Sequence, residues 1–320
     1  MKYRIWRASM KLHQYKKDFD ELCNAVASQI NLPINAIKMD YFIVLSLQKL
    51  QNSAFFERCV FKGGTSLSKC YPGSIERFSE DIDLTYMPER EESGKKIETN
   101  LKFIEKVMTD GFVFEPIVLE RTSRNKSGIV HFDIEGTKIK LEIGSSVIPE
   151  PYSKKTLSTY IQQFLESRND ETSIIKYELV DITLNVLDIT RTFIDKVMAV
   201  KRHALCGTLN RKVRHIYDVT KLYQREDIQV FLNDASLLKN ILQKVKQTDS
   251  VYLEKRSACR LYNPLGAYDF DAWQEKLDSA IKQRYESLSE DLLYTKEKQD
   301  FNVALATFKK ISTIFASVKE

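Results

Sequence analysis

The sequence predicts an α+β fold, in which a mixed β-sheet core flanked by helices is followed by a mainly helical C-terminal region. Three observations predict it. Apolar residues recur at helical spacing over residues 11–30 and again after Pro33. Between residues 111 and 148 the period drops to two, as on a strand. After Thr190 it returns to the helical value almost to the end of the chain.

Leu12, Tyr15, Phe19, Leu22 and Val26 form one apolar stripe, so residues 11–30 read as an amphipathic helix. Pro33 suits the first turn of a second helix, where its missing amide has no partner to lose; that helix runs through Ile37, Tyr41, Val44, Leu45 and Leu47. Cys59, Val60 and Phe61 make a short buried strand, broken by Gly63 and Gly64, and Thr65 to Lys69 start a short helix. Ile82 to Met87 form a strand and residues 90–109 a helix. FVFEPIVLE, GIVHFDIEG and TKIKLEIGSSV read as strands, the last two joined by a turn at Glu135-Gly136. Residues 155–167 read as a helix and 174–187 as short strands. The expected division is 1–188, a sheet domain with N-terminal helices, and 189–320, a helical domain, although no Pro/Gly-rich linker marks the boundary.

At 320 residues, 43% of them hydrophobic, the chain can bury a core without disulfides. Its five cysteines are odd in number, widely spaced and form no CxxC, so neither a disulfide framework nor a zinc site is indicated and a reducing compartment is the simpler reading. A net charge of +5 is too modest for a plain nucleic-acid-binding protein. The N-terminal stretch MKYRIWRASMKLHQYKK has no apolar h-region, and no apolar run reaches membrane-spanning length. The expectation is a cytoplasmic protein that engages no membrane.

One stretch carries chemistry: FKGGTSLSK, then RFSEDIDL. On a strand, Ile82 and Leu84 face the core while Asp81 and Asp83 share the opposite surface. Adjacent carboxylates repel unless a cation lies between them, and Mg²⁺ suits a site of few protein oxygens completed by water and phosphate. Gly63 and Gly64 let main chain approach a ligand, and the helix that follows offers free N–H groups to a phosphate. A tight turn beside an acidic strand would give the same letters; the joint spacing favours the site. No GxxxxGK[ST] occurs, nor the HRD and DFG elements of a protein kinase.

These residues resemble the signature of the AbiEii/AbiGii-type nucleotidyltransferase toxins, in the DNA-polymerase-β-like nucleotidyltransferase superfamily. The resemblance implies a mixed sheet flanked by helices, and Mg²⁺-dependent transfer of a nucleoside monophosphate from a nucleoside triphosphate (NTP). It implies that Gly64, Thr65 and Ser66, with Lys62 and Gly63 beside them, hold the triphosphate, and that Asp81 and Asp83 hold metal. It also implies a third carboxylate on a neighbouring strand. Asp133 and Glu142 are the candidates. With the turn at Glu135-Gly136, Asp133 would lie opposite Lys138 and Glu142 opposite Ile129, which leaves Glu142 without a base across from it and makes it the choice for metal.

A second block, RTFIDKVMAV…RHIYDV, resembles the family's paired helices that close over the nucleotide, here joined near Gly207. The matches are Lys196, Arg214, His215, Tyr217 and Asp218; Asp195 stands where glutamate is commoner, and no histidine follows the lysine at the usual place. Lys196 would meet the triphosphate as a point charge. Asp218 has three readings: partner of Lys196, general base, or helix packing. His215 is either a nucleotide-side group or a packing histidine. Lys201, Arg202, Arg211 and Lys212 lie between Lys196 and Arg214 with no acid among them, which would suit an RNA backbone or the triphosphate alone.

The expected reaction is attack of an acceptor hydroxyl on the α-phosphorus, with two metals clamping the exchange and pyrophosphate leaving. The resemblance implies a bacterial toxin of the abortive-infection type, RNA as acceptor (foremost the tRNA acceptor end), and a cognate antitoxin. Transfer to a protein side chain or a small-molecule hydroxyl, and a nucleotide sensor without turnover, are the alternatives. Residues 226–320 carry no usable motif, although Leu261 to Leu265 could line a substrate groove.

Overall fold

The computed structural model describes residues 11–133, 136–254, 259, 261–291, 293 and 299–318. The first ten residues of the N-terminal stretch, and Glu135 of the expected turn, lie outside that set. At the centre is a seven-stranded mixed sheet: β1 (Cys59–Lys62), β2 (Asp81–Tyr86), β3 (Val113–Pro116), β4 (Asn125–His131), β5 (Lys138–Gly144), β6 (Tyr152–Leu157) and β7 (Ile182–Leu187), in the order β3-β4-β5-β2-β1-β7-β6. β1 runs parallel to β7 and β2 parallel to β5, while the other neighbours are antiparallel. The middle strands bury Phe61, Ile82, Leu84, Leu141, Ile143 and Val186. The edges are blunted, by Pro116 on β3 and by Lys154 and Lys155 on β6.

Among the described residues, these helices accompany the sheet: α1 (Lys16–Ile30), α2 (Ile34–Gln51), α3 (Gly63–Cys70), α4 (Gly94–Thr109), α5 (Tyr160–Ser167) and α6 (Glu171–Lys176). α2 opens at Pro33, as its sequence predicts, and buries Ile37, Phe42, Val44 and Leu47 against the sheet. Further described helices follow: α7 (Ile189–Leu205), α8 (Val213–Tyr223), α9 (Glu226–Asn233), α10 (Ala235–Glu254), α11 (Ser279–Asp291) and α12 (Phe301–Ser317). α8 packs on α7, α11 and α12, and an aromatic cluster of Tyr268, Phe270, Trp273, Phe308 and Phe315 closes this end of the core. Among the described residues no single helix is long and apolar enough to cross a membrane.

The architecture is the expected α+β one, with local differences. α1 begins at Lys16, after a short 3-10 turn over Leu12–Gln14. In FVFEPIVLE the strand stops at Pro116, which has no N–H to continue a ladder, and Val118–Glu120 forms a turn of 3-10 helix. Residues 155–167 are not one helix: β6 pairs with β7 through Leu157, and α5 starts after Thr159, whose hydroxyl accepts the Gln162 amide at 2.9 Å. Ile174 to Lys176 belong to α6, leaving β7 as the strand of that region. The β4–β5 register is also shifted. Asp133 lies beyond β4, where its carboxylate accepts the Thr137 amide at 2.8 Å, so His131 faces Lys138, Ile129 faces Lys140, and Ser127, not Ile129, faces Glu142.

Candidate active site

β1 passes straight into α3 at Gly63, whose φ is +84°. A Cβ there would stand 2.1 Å from Asp83 Oδ2, so only glycine lets this carboxylate lie against the main chain. At Gly64 a Cβ would meet Ser79 Oγ at 2.5 Å and Arg77 Nη2 at 2.8 Å. Thr65 and Ser66 are buried; the Thr65 hydroxyl donates to the Asp81 carbonyl, and Ser66 Oγ donates to the Gly63 carbonyl at 3.0 Å. Their hydroxyl protons therefore tie α3 to β2 and to its own first turn. What this tip offers an anion is main-chain N–H and the adjacent Lys62.

Asp81 and Asp83 alternate with buried Ile82 and Leu84 on β2. The parallel register with β5 sets Asp83 beside Glu142 and Asp81 beside Lys140. The Asp83 and Glu142 carboxyls hydrogen-bond to each other; burial, then the Glu142 charge, lifts Asp83 to about 7. Two carboxylates in contact need a shared proton or a cation between them. Glu142 is also held by Lys140 at 2.5 Å, and Lys140 by Glu120 at 2.7 Å. Asp81 shares the sheet face but is not among the residues lining the cavity. Among the described residues no three His, Cys, Asp or Glu side chains already stand in metal-binding geometry. The donor set thus fits a hard divalent cation through the Asp83–Glu142 pair, with Asp81 a neighbour two residues along the strand.

The cavity encloses about 420 Å³. Lys62, Gly63, Asp83 and Glu142 line one side, and Arg124, Asn125 and Ser146 one end. One face of α7 also lines it, formed by Thr192, Asp195, Lys196, Ala199 and Arg202. Lys196 is buried, with Nζ 2.7 Å from Asp218 Oδ2 and 3.4 Å from His215 Nδ1. Asp218, fully buried on α8, also receives Arg77 Nε and Nη2 at 2.6 and 2.7 Å. Burial pushes the Asp218 carboxyl up, but Arg77 and then Lys196 outweigh it and hold it well below the usual carboxylate range. Burial, then Lys196, keeps His215 well below its usual value and so neutral near pH 7. Of the three readings of Asp218, this geometry is that of a partner to Lys196, and so firmly held an anion is a poor base.

Arg214 is half-buried and is not among the cavity-lining residues, whereas His215 is. The basic run is partly engaged internally: Lys201 is buried and donates to the Ala267 carbonyl, and Arg202 meets Asp249 at 2.9 and 3.0 Å. Asp195 is paired with Arg191 at 2.9 Å. Sequence reading missed Arg77, although it opens the RFSEDIDL segment. It also missed the wall that α10 supplies through Val245, Thr248 and Asp249, for which no motif gave a signal.

The chain matches the family described as nucleotidyl transferase AbiEii toxin, type IV toxin–antitoxin (TA) system, over residues 46–307. It belongs to that family. As an AbiEii-family protein it is a nucleotidyltransferase toxin of a type IV toxin–antitoxin system, which implies a nucleotide substrate, a divalent metal and a cognate antitoxin. Among solved structures it is similar to MenT4, the nucleotidyltransferase toxin Rv2826c from Mycobacterium tuberculosis H37Rv, at 18% identity over 93% of this chain and 99% of that one, with a TM-score of 0.50. That likeness is one of fold. It is also similar to JHP933 from Helicobacter pylori, at 16% identity over 89% of this chain and 98% of that one, with a TM-score of 0.38. Among proteins of curated function none matches.

Proposed function

We propose that this AbiEii-family chain transfers a nucleoside monophosphate from an NTP to a hydroxyl of RNA, foremost the acceptor end of tRNA, with Mg²⁺ as the metal and pyrophosphate as the product. The observation that carries this reading is the Asp83–Glu142 pair of the sheet and Lys196 of α7 lining one cavity. Residues 1–188 act as the nucleotidyltransferase domain, and residues 189–320 as a helical domain that completes the nucleotide and acceptor sites.

Asp83 and Glu142, with Asp81 beside them, would hold the divalent ions, which when bound neutralise triphosphate charge and acidify the acceptor hydroxyl. The chain's own groups do the rest. Lys62 and the main chain at Gly63 and Gly64 receive phosphate oxygens. Lys196, fixed by Asp218, meets the charge that builds on the leaving pyrophosphate. Glu142 orients the acceptor hydroxyl and takes its proton as the oxygen bonds to the α-phosphorus. The bond from that phosphorus to the bridging oxygen breaks, and pyrophosphate leaves with the electron pair. Catalysis is then mainly positioning and charge stabilisation. The substrates named here are cytoplasmic and so, on this reading, is the enzyme.

Exposed Arg211 and Lys212 and the cavity-lining Arg124 favour a polyanionic acceptor over a neutral one. The test is incubation with each α-labelled NTP and Mg²⁺ in the presence of total tRNA, cell protein or a small-molecule extract. Label on tRNA is expected. Label only on protein or a small molecule would overturn the RNA assignment.

A further inference from the structure

Residues 226–320, silent in the sequence, brace a second cation of the cavity wall through Asp249 and Tyr262. Arg202 lies six residues beyond Lys196 on the same face of α7, about 9 Å along the axis at 1.5 Å per residue. Between them Ala199 leaves the wall open. The two cations are held by different helices. Lys196 is fixed by Asp218 of α8, whereas Arg202 Nη1 contacts both oxygens of Asp249 of α10, at 2.9 and 3.0 Å. Asp249 is itself braced, because the buried Tyr262 hydroxyl donates to its Oδ2 at 3.0 Å. Arg202 Nε and Nη2 have no partner among the described residues. Lys212, exposed at the start of α8, also lines the cavity and forms no salt bridge with a described acid. An arginine fixed by one nitrogen keeps the remaining donors of its planar guanidinium for an oxyanion such as phosphate. The two cations therefore have separate anchors, Asp218 for Lys196 and Asp249 for Arg202.

We propose that Arg202, braced by Asp249 and Tyr262 and joined by Lys212, forms a second phosphate-binding subsite on the helical wall of the cavity, separate from Lys196. The subsite rests on the nucleotidyltransferase reading and deepens it. Its ligand is a phosphate oxyanion, from either the outer phosphates of the NTP or a phosphodiester of the acceptor strand.

The test is equilibrium binding to the full chain with Mg²⁺ present, using ATP, inorganic triphosphate and a short single-stranded RNA. The proteins compared are wild type, Arg202→Met, Lys212→Met and Lys196→Met. If the ligand is the NTP, Arg202→Met weakens ATP and triphosphate together; if it is the acceptor, Arg202→Met weakens RNA. The expected loss is about tenfold or more, as for a charge-assisted contact, and the salt dependence of that ligand falls by about one ion. Lys212→Met, an exposed change compatible with folding, should weaken the same ligand by roughly threefold, at the lower end for a charged contact. All three affinities unchanged within about twofold in both variants would overturn the subsite. A Lys196→Met chain that binds ATP and triphosphate as wild type does would strike the parent reading instead. A wild-type chain that binds none of the three would overturn both.

Discussion

Arg77 closes side-on upon Asp218, with Nε and Nη2 at 2.6 and 2.7 Å from its two oxygens and neither residue exposed by more than 4%. This contact joins the segment leading into the Asp81–Asp83 strand to the helix that fixes Lys196. It converts two distant stretches of sequence into the two sides of one cavity. Removing the acid strands two buried cations. Asp218→Asn should therefore lower unfolding free energy by about 3–5 kcal/mol, the usual cost of breaking a buried pair from one side. Chemical denaturation read by circular dichroism checks it.

The same pair fixes a pH dependence. The Asp218 pKa is depressed in the fold from its usual 3.8. Its stabilisation is therefore complete above that unfolded value and is lost as pH falls toward the folded one. The stability gap between wild type and Asp218→Asn should stay flat from about pH 8 to pH 5 and narrow below about pH 4. A gap that narrows near neutrality would mean the carboxyl is not held ionised by Arg77 and Lys196.

Gly63 should tolerate no side chain. Gly63→Ala combines a positive φ, worth about 1–2 kcal/mol of strain, with a Cβ inside the space of Asp83 Oδ2. The expected result is a modest drop in melting temperature with transfer slowed by roughly a hundredfold, since the carboxylate must move. Gly73, also at positive φ but with open space around its Cβ position, is the control: Gly73→Ala should cost stability alone.

Lys140 bridges Glu120 and Glu142. A cation added between Asp83 and Glu142 competes with it for Glu142. Lys140→Met should tighten divalent binding by roughly two- to fivefold, the scale of a partly exposed ion pair. It should also enlarge the rise in melting temperature on adding MgCl₂. Thermal melts over a MgCl₂ series test this; weaker binding in the variant would mean Lys140 orients Glu142 for the metal instead of opposing it.

Much of the sheet side of the site was legible because strands repeat at two residues. Alternation placed Asp81 and Asp83 on one face, while the family resemblance called for a third carboxylate and alternation fitted both Glu142 and Asp133 to that role. The residue opposite Glu142 was misread because His131, and not Asp133, pairs with Lys138, a register two residues away from the one that a turn at Glu135-Gly136 implies. Residues 155–157, the second half of β6, were misread as helix because Tyr152–Leu157 becomes a strand by pairing with β7, a partner some 30 residues away. Arg77 was invisible as a functional residue since its meaning lies in Asp218, 141 positions later. The same holds for Asp249, which enters the cavity through packing of α10 on α7. Local pattern fixes which face a side chain takes; long-range packing decides what it meets.

The most direct measurement is single-turnover transfer from α-labelled NTP to tRNA, with pyrophosphate counted in parallel, for wild type and Asp83→Asn. The variant removes one of two touching carboxylates, so it should melt no lower than wild type in the absence of metal. Label and pyrophosphate should appear in equal amounts with the wild type and fall by a factor on the order of a thousand with the variant. A well-folded Asp83→Asn chain that still transfers label at a comparable rate would contradict the assignment of this cavity as the active site.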